Sequence, residues 1–335
     1  MRHPCHLFLL LSSALLIPWA ACSDNALTPV PDAGVDDPDA DDGEDASKDR
    51  DAAKPKDAAV DVVLPADCTA ASTHIRAVAA NLSSGTKQNW DGGEGARILK
   101  GLVPDVVMMQ EFNFGNNQPA TIAKFVSDTV GATYTYVRGT GDIPNGILSR
   151  YPIVKSGNWT DALVSNRAFT WARIDLPGSH DLLVVSVHLL TSGDRGAEAA
   201  AVVTAFDDEI LPNEFGLVGG DFNTKLRTES ALVSFSAGFV VAAPFPLGPA
   251  LDGGPENTNE PRTSPYDWVI ATKELDDHEV PVKLGVASAS YAGGLVFDSQ
   301  AYMPLSEVAG VQTGDSHSLG MQHMAVVRDF EVPCE

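Results

Sequence analysis

Between positions 75 and 328 the chain repeats one pattern, a short apolar run that starts or stops at a polar side chain. The runs cover 75–80, 106–109, 146–149, 168–174, 182–187, 215–218, 268–271 and 324–328. Their length and apolar content predict strands. Helical or Gly/Pro-rich stretches separate them, and helices are predicted over 94–102, 119–129 and 196–210. Pro119 suits the first turn of the second helix, where a missing N–H costs nothing. No internal repeat is visible.

The polar residues at the run ends carry the chemistry. Asn81, Glu111, His188 and Asp221 each follow a run, whereas Asn145, Arg167, Asp267 and His323 each precede one. If the first four strands point toward one edge of a sheet system and the other four point away from it, all eight side chains meet at that edge. Carboxylates, imidazoles and amides gathered in that way form an active-site layout.

Composition divides the chain into three segments. The 335 residues are 44% apolar with a net charge of −23, which excludes a wholly disordered chain and a basic nucleic-acid coat. Residues 1–22 read as an export signal: Arg2 and His3 precede an apolar stretch, and Ala20, Ala21 and Cys22 close it. Small residues before Cys22 also resemble a bacterial lipobox, although Trp19 replaces the usual aliphatic residue, so both a lipid anchor at Cys22 and plain secretion fit. Residues 23–67 are rich in Asp, Ala and Pro, with 14 acidic and 4 basic side chains. Such a segment buries too little surface to offset its ordering entropy and reads as a self-repelling, disordered tether. The remainder, 68–335, holds a net charge of −14 and reads as the folded domain. Cys68 and Cys334 stand at its two ends, and an exported protein keeps disulfides, so they are expected to pair. Closing so long a loop stabilises by about 5 kcal/mol on the chain-entropy model.

The ordered motifs Ala80-Asn81, Asp105-Val106-Val107-Met108-Met109-Gln110-Glu111, Asn145-Gly146-Ile147-Leu148-Ser149-Arg150, Ser186-Val187-His188-Leu189, Gly219-Gly220-Asp221-Phe222-Asn223 and Tyr266-Asp267-Trp268-Val269-Ile270 together resemble the endonuclease/exonuclease/phosphatase superfamily, the DNase I-like fold. The resemblance implies an α/β four-layer sandwich, two mixed β-sheets face to face with helices outside. It also implies metal-dependent hydrolysis of phosphate esters. A phosphodiester repels nucleophiles, and a divalent cation neutralises its charge and organises the attack. Mg2+, with Mn2+ or Ca2+ as alternatives, takes hard oxygen ligands and keeps several waters, so one or two carboxylates suffice.

On that resemblance Glu111 and Asn81 are the metal-side residues, Asp221 orients or deprotonates the attacking water, and Asn223 donates to the phosphate. An Asx-turn competes as the reason for the Asp221/Asn223 spacing. His188 and His323 would flank the phosphate, with Asp267 fixing the tautomer of His323. The Arg167 fork would grip the phosphate, and Asn145 would support the same site. The motif series departs at its end. The family pattern Ser-Asp-His is replaced by Met321-Gln322-His323, which leaves Gln322 as a neutral stand-in for a metal-side aspartate unless Asp315 replaces it from the preceding loop.

Substrate is less determined. A domain of net charge −14 has no long basic track for a nucleic-acid backbone, yet Lys225, Arg227 and Arg167 lie near the motifs. The leading expectation is an exported monomeric phosphodiesterase for nucleic acid or a related phosphodiester. A phospholipid-headgroup or sugar-phosphate hydrolase keeps the chemistry and changes the substrate, with the Pro/Gly-rich segment 244–265 as a substrate loop. The Gln322 departure also raises a catalytically idle surface-binding protein.

Overall fold

A computed structural model describes residues 71–85, 88–249 and 255–334. The export signal 1–22 with Cys22, the tether 23–67 and Cys68 lie outside the described residues. No helix among the described residues is long and apolar enough to cross a membrane.

Twelve strands form two mixed sheets. The first contains β1 (Ser72–Ala80), β2 (Val106–Met109), β3 (Thr135–Arg138), β4 (Gly146–Ser149), β10 (Glu279–Val280), β11 (Leu295–Phe297) and β12 (Ala325–Pro333), in the order β10-β12-β1-β2-β4-β3 with β11 also paired to β12. The second runs β5 (Ile153–Trp159), β6 (Phe169–Ile174), β7 (Leu182–His188), β8 (Phe215–Asp221) and β9 (Asp267–Ala271) in sequence order. Only β1/β2 and β7/β8 pair in parallel. The helices are α1 (Glu94–Leu102), α2 (Pro119–Thr129), α3 (Arg195–Glu209), α4 (Ser230–Phe235) and α5 (Lys273–Asp276).

Alternation along each strand sorts the side chains into three cores. Ala77, Ala79, Val106 and Met108 of the first sheet meet Ala172, Val184, Leu217 and Val269 of the second in the central layer. The intervening Val78, Ala80, Val107 and Met109 pack outward on Ile98, Leu99, Phe125 and Val126 of α1 and α2. Leu183, Val185, Val218 and Ile270 face Val202, Phe206, Leu232 and Phe235 of α3 and α4. Strands covered on both faces read as unbroken apolar runs, because each face buries its own set. Each buried aliphatic side chain contributes roughly 1.5–3 kcal/mol, and the sum is a four-layer α/β sandwich.

The departures from the sequence expectations have local causes. β3 and β5 are edge strands of mixed polarity and carry no run to announce them. β12 continues past Arg328, because Asp329 is not a strand end but the cross-strand partner of Arg76 on β1, at 2.7 Å. The Asn223 backbone has φ 52°, so the segment after β8 turns instead of extending. Gly220, at φ 133°, lies so close to β2 that an added Cβ would stand 2.5 Å from Gln110 Nε2. The backbone angle and the Val187 carbonyl of β7, 2.1 Å from that added Cβ, require glycine there.

Candidate active site

The strand directions bring the predicted polar residues to one rim. Asn81 and Glu111 follow the parallel strands β1 and β2, while Asn145 and His323 precede the antiparallel β4 and β12. In the second sheet His188 and Asp221 close the parallel strands β7 and β8 as direct partners, and Asp221 is in turn opposite Asp267 at the start of β9. Arg167 stands two positions before β6. All eight are buried.

Asp221 is the hub. Its Oδ2 accepts from Asn81 Nδ2 at 3.0 Å, lies 3.3 Å from His188 Nε2 and 3.6 Å from His323 Nε2. Its Oδ1 accepts the Asn223 backbone N–H at 2.8 Å, which is the Asx-turn geometry. The turn thus aims one oxygen into the cluster by tying down the other. Burial lifts the Asp221 carboxyl to about 6, against the pull of the His323 charge.

The two histidines beside it differ in charge. Burial and the neighbouring Arg167 cation push His188 well below the usual imidazole range, so it is neutral, and its Nδ1 is buried without a partner. Burial opposes charge at His323 as well, but there Asp267 and then Asp221 overcome it and raise the ring to about 9. His323 Nδ1 is 3.0 Å from Asp267 Oδ2, which also accepts the Thr258 hydroxyl at 2.9 Å. His323 Nε2 also lies 3.2 Å from Asn81 Nδ2, and the ring stands between two carboxylates that favour its cation.

Glu111 stands at the other side of the rim. Its backbone is left-handed, φ 51°, an arrangement that costs a glutamate of order 1–3 kcal/mol and that only a well-determined surrounding sustains. Ser83 Oγ donates to one carboxylate oxygen and Gln88 Nε2 to the other, the latter at 2.9 Å. Burial raises the Glu111 pKa despite these donors and the His323 charge.

Other candidates are placed but engaged differently from expectation. Three of the five Arg167 N–H groups go to the carbonyls of His188 and Leu189, at 2.5 and 2.9 Å, and to Asn166 Oδ1 at 3.2 Å. The fork therefore clamps the end of β7 and is not free as a bidentate phosphate grip. Asn223 Nδ2 donates to Leu189 O at 2.9 Å, and Asn145 Nδ2 to Ala168 O at 2.8 Å. Gln322 is exposed, and its side chain makes no hydrogen bond among the described residues. Extended backbone alternates, so burying His323 turns Gln322 outward. Asp315 does not replace it, because both its oxygens bind Arg97 of α1, at 2.6 and 3.1 Å. His317 belongs to a separate ion cluster with Glu260 and Asp298.

The model of the Endonuclease/Exonuclease/phosphatase family matches residues 69–282, well over half the chain. The chain belongs to this family. Its members are generally phosphoric ester hydrolases and typically depend on a divalent metal. Among solved structures, the family's protein from Bacteroides vulgatus is 15% identical, with a TM-score of 0.51, covering 78% of this chain and 99% of that one. A conserved protein from Enterococcus faecalis V583 is 13% identical, also at 0.51, covering 77% and 100%. These likenesses support the fold. No curated protein matches the sequence significantly.

The residues present fit a hard divalent cation. Asn81 Oδ1 is a buried amide oxygen with no hydrogen-bond partner, as is one oxygen of Asp267. Such orphans cost roughly 1–3 kcal/mol each, a deficit that a bound cation offsets. Ligand atoms of Asp221, Asp267 and His323 also lie within 4.8 Å of one another. The His323–Asp267 hydrogen bond engages that imidazole, so the metal side is better assigned to Glu111 and Asn81.

Sequence reasoning missed the residues that hold these groups in place. Ser83 and Gln88 fix Glu111. Gln110 ties the sheets together through Ser186 at 2.9 Å. Thr258, in the segment read as a substrate loop, instead braces Asp267, and its carbonyl takes the Met324 N–H at 2.6 Å. A polar residue two beyond Asn81 was the one available signal, for Ser83.

Proposed function

We propose that the chain is an exported, divalent-metal-dependent phosphodiesterase that hydrolyses nucleic acid or a related phosphodiester. The observation that carries this reading is the single carboxylate Asp221, held by Asn81 between a neutral and a charged histidine and directly beside the Glu111 end of the rim. A divalent cation held by Glu111 and the Asn81 amide oxygen would neutralise phosphate charge, and Mg2+ is the ion that suits so few hard donors.

The chain's own groups divide the remaining work. Asp221 Oδ2 takes the proton of the attacking water as its oxygen forms the new bond to phosphorus, in line with the breaking bond to the leaving oxygen. His323, a cation kept in orientation by Asp267, donates to a phosphate oxygen where charge builds up. Neutral His188 orients the Asp221 carboxylate. Arg167 and Asn223 both fasten the Leu189 carbonyl, which keeps β7 and the Asp221 turn in register.

The same reading places the domain outside the cytoplasm as a monomer, anchored through Cys22 or secreted, and closed by a Cys68–Cys334 bond. The test is hydrolysis of plasmid DNA, RNA, sphingomyelin and bis(p-nitrophenyl) phosphate by the full chain, with Mg2+, Mn2+ or chelator. Diester cleavage that chelator abolishes supports the proposal. Cleavage that persists in chelator, or of sphingomyelin alone, contradicts it.

A further inference from the structure

The rim holds one cation that the chemistry above does not use. Lys225, two residues after Asn223, is exposed, and no carboxylate lies within ion-pair distance of its ammonium among the described residues. Lys100 and Lys283 are exposed and likewise without an ion pair among the described residues, but Lys225 follows the Asp221 turn of the rim. Its neighbours are paired: Arg195 with Glu229, Arg227 with Glu256 at 3.9 Å, and Arg262 with Asp298 at 3.0 Å. Glu229, the acid nearest in sequence, is occupied twice, by the Lys225 backbone N–H at 2.5 Å and by the Arg195 guanidinium. That bond anchors the Lys225 backbone and leaves its ammonium without a carboxylate.

The side chain leans on the catalytic cluster through one aromatic ring. Lys225 Nζ lies 5.5 Å from the Tyr266 ring centre and 3.5 Å from its hydroxyl. The Tyr266 ring is 5.7 Å from that of His323, and Tyr266 directly precedes Asp267. The ring therefore sets the spacing between an exposed ammonium and the imidazolium that faces the reacting phosphate.

Resting on the phosphodiesterase reading, we propose that Lys225, spaced by Tyr266, binds a second phosphate next to the scissile one, and so selects a nucleic-acid strand over an isolated diester. An unpaired ammonium in an acidic surface attracts a second anion and repels a quaternary-ammonium headgroup. Repeating phosphates are what a strand offers and a single-headgroup diester lacks. One local cation beside the rim offsets part of the acidic net charge that a polyanion meets.

The experiment compares the full-length wild type with K225A and K225R, in Mg2+, on a single-stranded 12-mer, on bis(p-nitrophenyl) phosphate, and on vesicles containing a bisphosphorylated inositol lipid. K225A is expected to raise KM for the 12-mer about tenfold more than for the chromogenic diester, with kcat retained, the size of one charge-assisted contact. K225R should restore most of that difference. The slope of log kcat/KM against log salt for the 12-mer should fall by about 0.7 in K225A. Equal losses on both substrates, or no loss on the 12-mer, would overturn the proposal. A loss confined to the lipid would overturn its strand assignment. Wild-type protein that cleaves no diester overturns the phosphodiesterase reading itself, and is a separate result from a Lys225 variant that behaves like the wild type.

Discussion

The two edges of the sandwich are built from the same strands and hold opposite kinds of polar chemistry. At the edge away from the rim, arginines meet carboxylates in closed ion pairs: Arg76 with Asp329, Arg150 with Asp105, Arg173 with Glu214, and Arg328 with Asp276 and Glu279. At the rim Asn, His and Asp stand beside Glu111, Gln110 and Arg167, and several are left short of partners. Asn81 Oδ1, Gln110 Oε1, Asn145 Oδ1, His188 Nδ1 and Asp267 Oδ1 are all buried and unbonded. One edge is arranged for stability, whereas the other gathers unmet polar capacity around Asp221. Single unbonded atoms occur elsewhere, as at Tyr302 and Glu307, but the cluster of them at the rim marks where a cation and a phosphate belong.

Substitutions should separate the edges by what they damage. The largest effect is expected at the rim: Asp221→Asn or His323→Ala should lower kcat/KM for a diester by roughly 10²–10⁴, the range for loss of a general base or acid. Thermal unfolding of Asp221→Asn should occur at or above the wild-type midpoint, because it removes a buried carboxylate whose charge burial opposes, whereas His323→Ala strands Asp221 and Asp267 and is judged by turnover alone. Next in size, Arg328→Met at the far edge strands Asp276 and Glu279 and should cost roughly 3–5 kcal/mol of stability in urea unfolding. Its kcat, measured well below the melting temperature, should match the wild type. Stability and turnover falling together in Asp221→Asn or in Arg328→Met would break the contrast.

A pH experiment sharpens it from α3, where Glu198 meets Asp161 of the β5–β6 loop. Burial lifts the Glu198 carboxyl to about 8, helped by a hydrogen bond to Asp161 and opposed by the Leu190 backbone N–H that it accepts. Because the folded-state pKa lies above the ordinary glutamate value, the protonated form is the one the fold prefers. Stability from this group is present below the unfolded pKa, near 4.3, and is lost as pH rises toward 8. Glu198→Gln should flatten the fall in unfolding free energy between those limits, and a variant with the wild-type slope would place the titration elsewhere. Smallest of all, Thr258→Val, which removes one hydroxyl from Asp267, should cost about 1 kcal/mol and raise the pH at which His323 loses its proton, read by NMR of the imidazole.

The rim was legible in the sequence because each of its residues abuts an apolar run, and strand direction then follows from which side the polar residue stands on. Glu111, Asp221 and His323 were found in that way. The far-edge pairs were not legible, since Arg76 and Asp329 lie at opposite ends of the domain and meet only through β1/β12 pairing. Nor were the bracing residues, because Ser83, Gln88 and Thr258 carry no periodic signature and act through contacts set by loops. Arg167 shows the limit of residue type as evidence. Its position at the rim was read correctly from its run, but a guanidinium serves a backbone carbonyl as readily as a phosphate, and here it holds His188 and Leu189. Gln322 shows the same limit through alternation, since its neighbour His323 takes the inward place.

The most direct test of the central claim is metal titration of chelator-stripped full-length protein beside Glu111→Gln, followed by isothermal calorimetry with Mg2+ or Mn2+ and by hydrolysis of bis(p-nitrophenyl) phosphate. The account predicts saturable binding near one ion per chain that restores turnover in the wild type, and loss of both binding and turnover in Glu111→Gln. Turnover by stripped protein, or wild-type metal binding in Glu111→Gln, would contradict it.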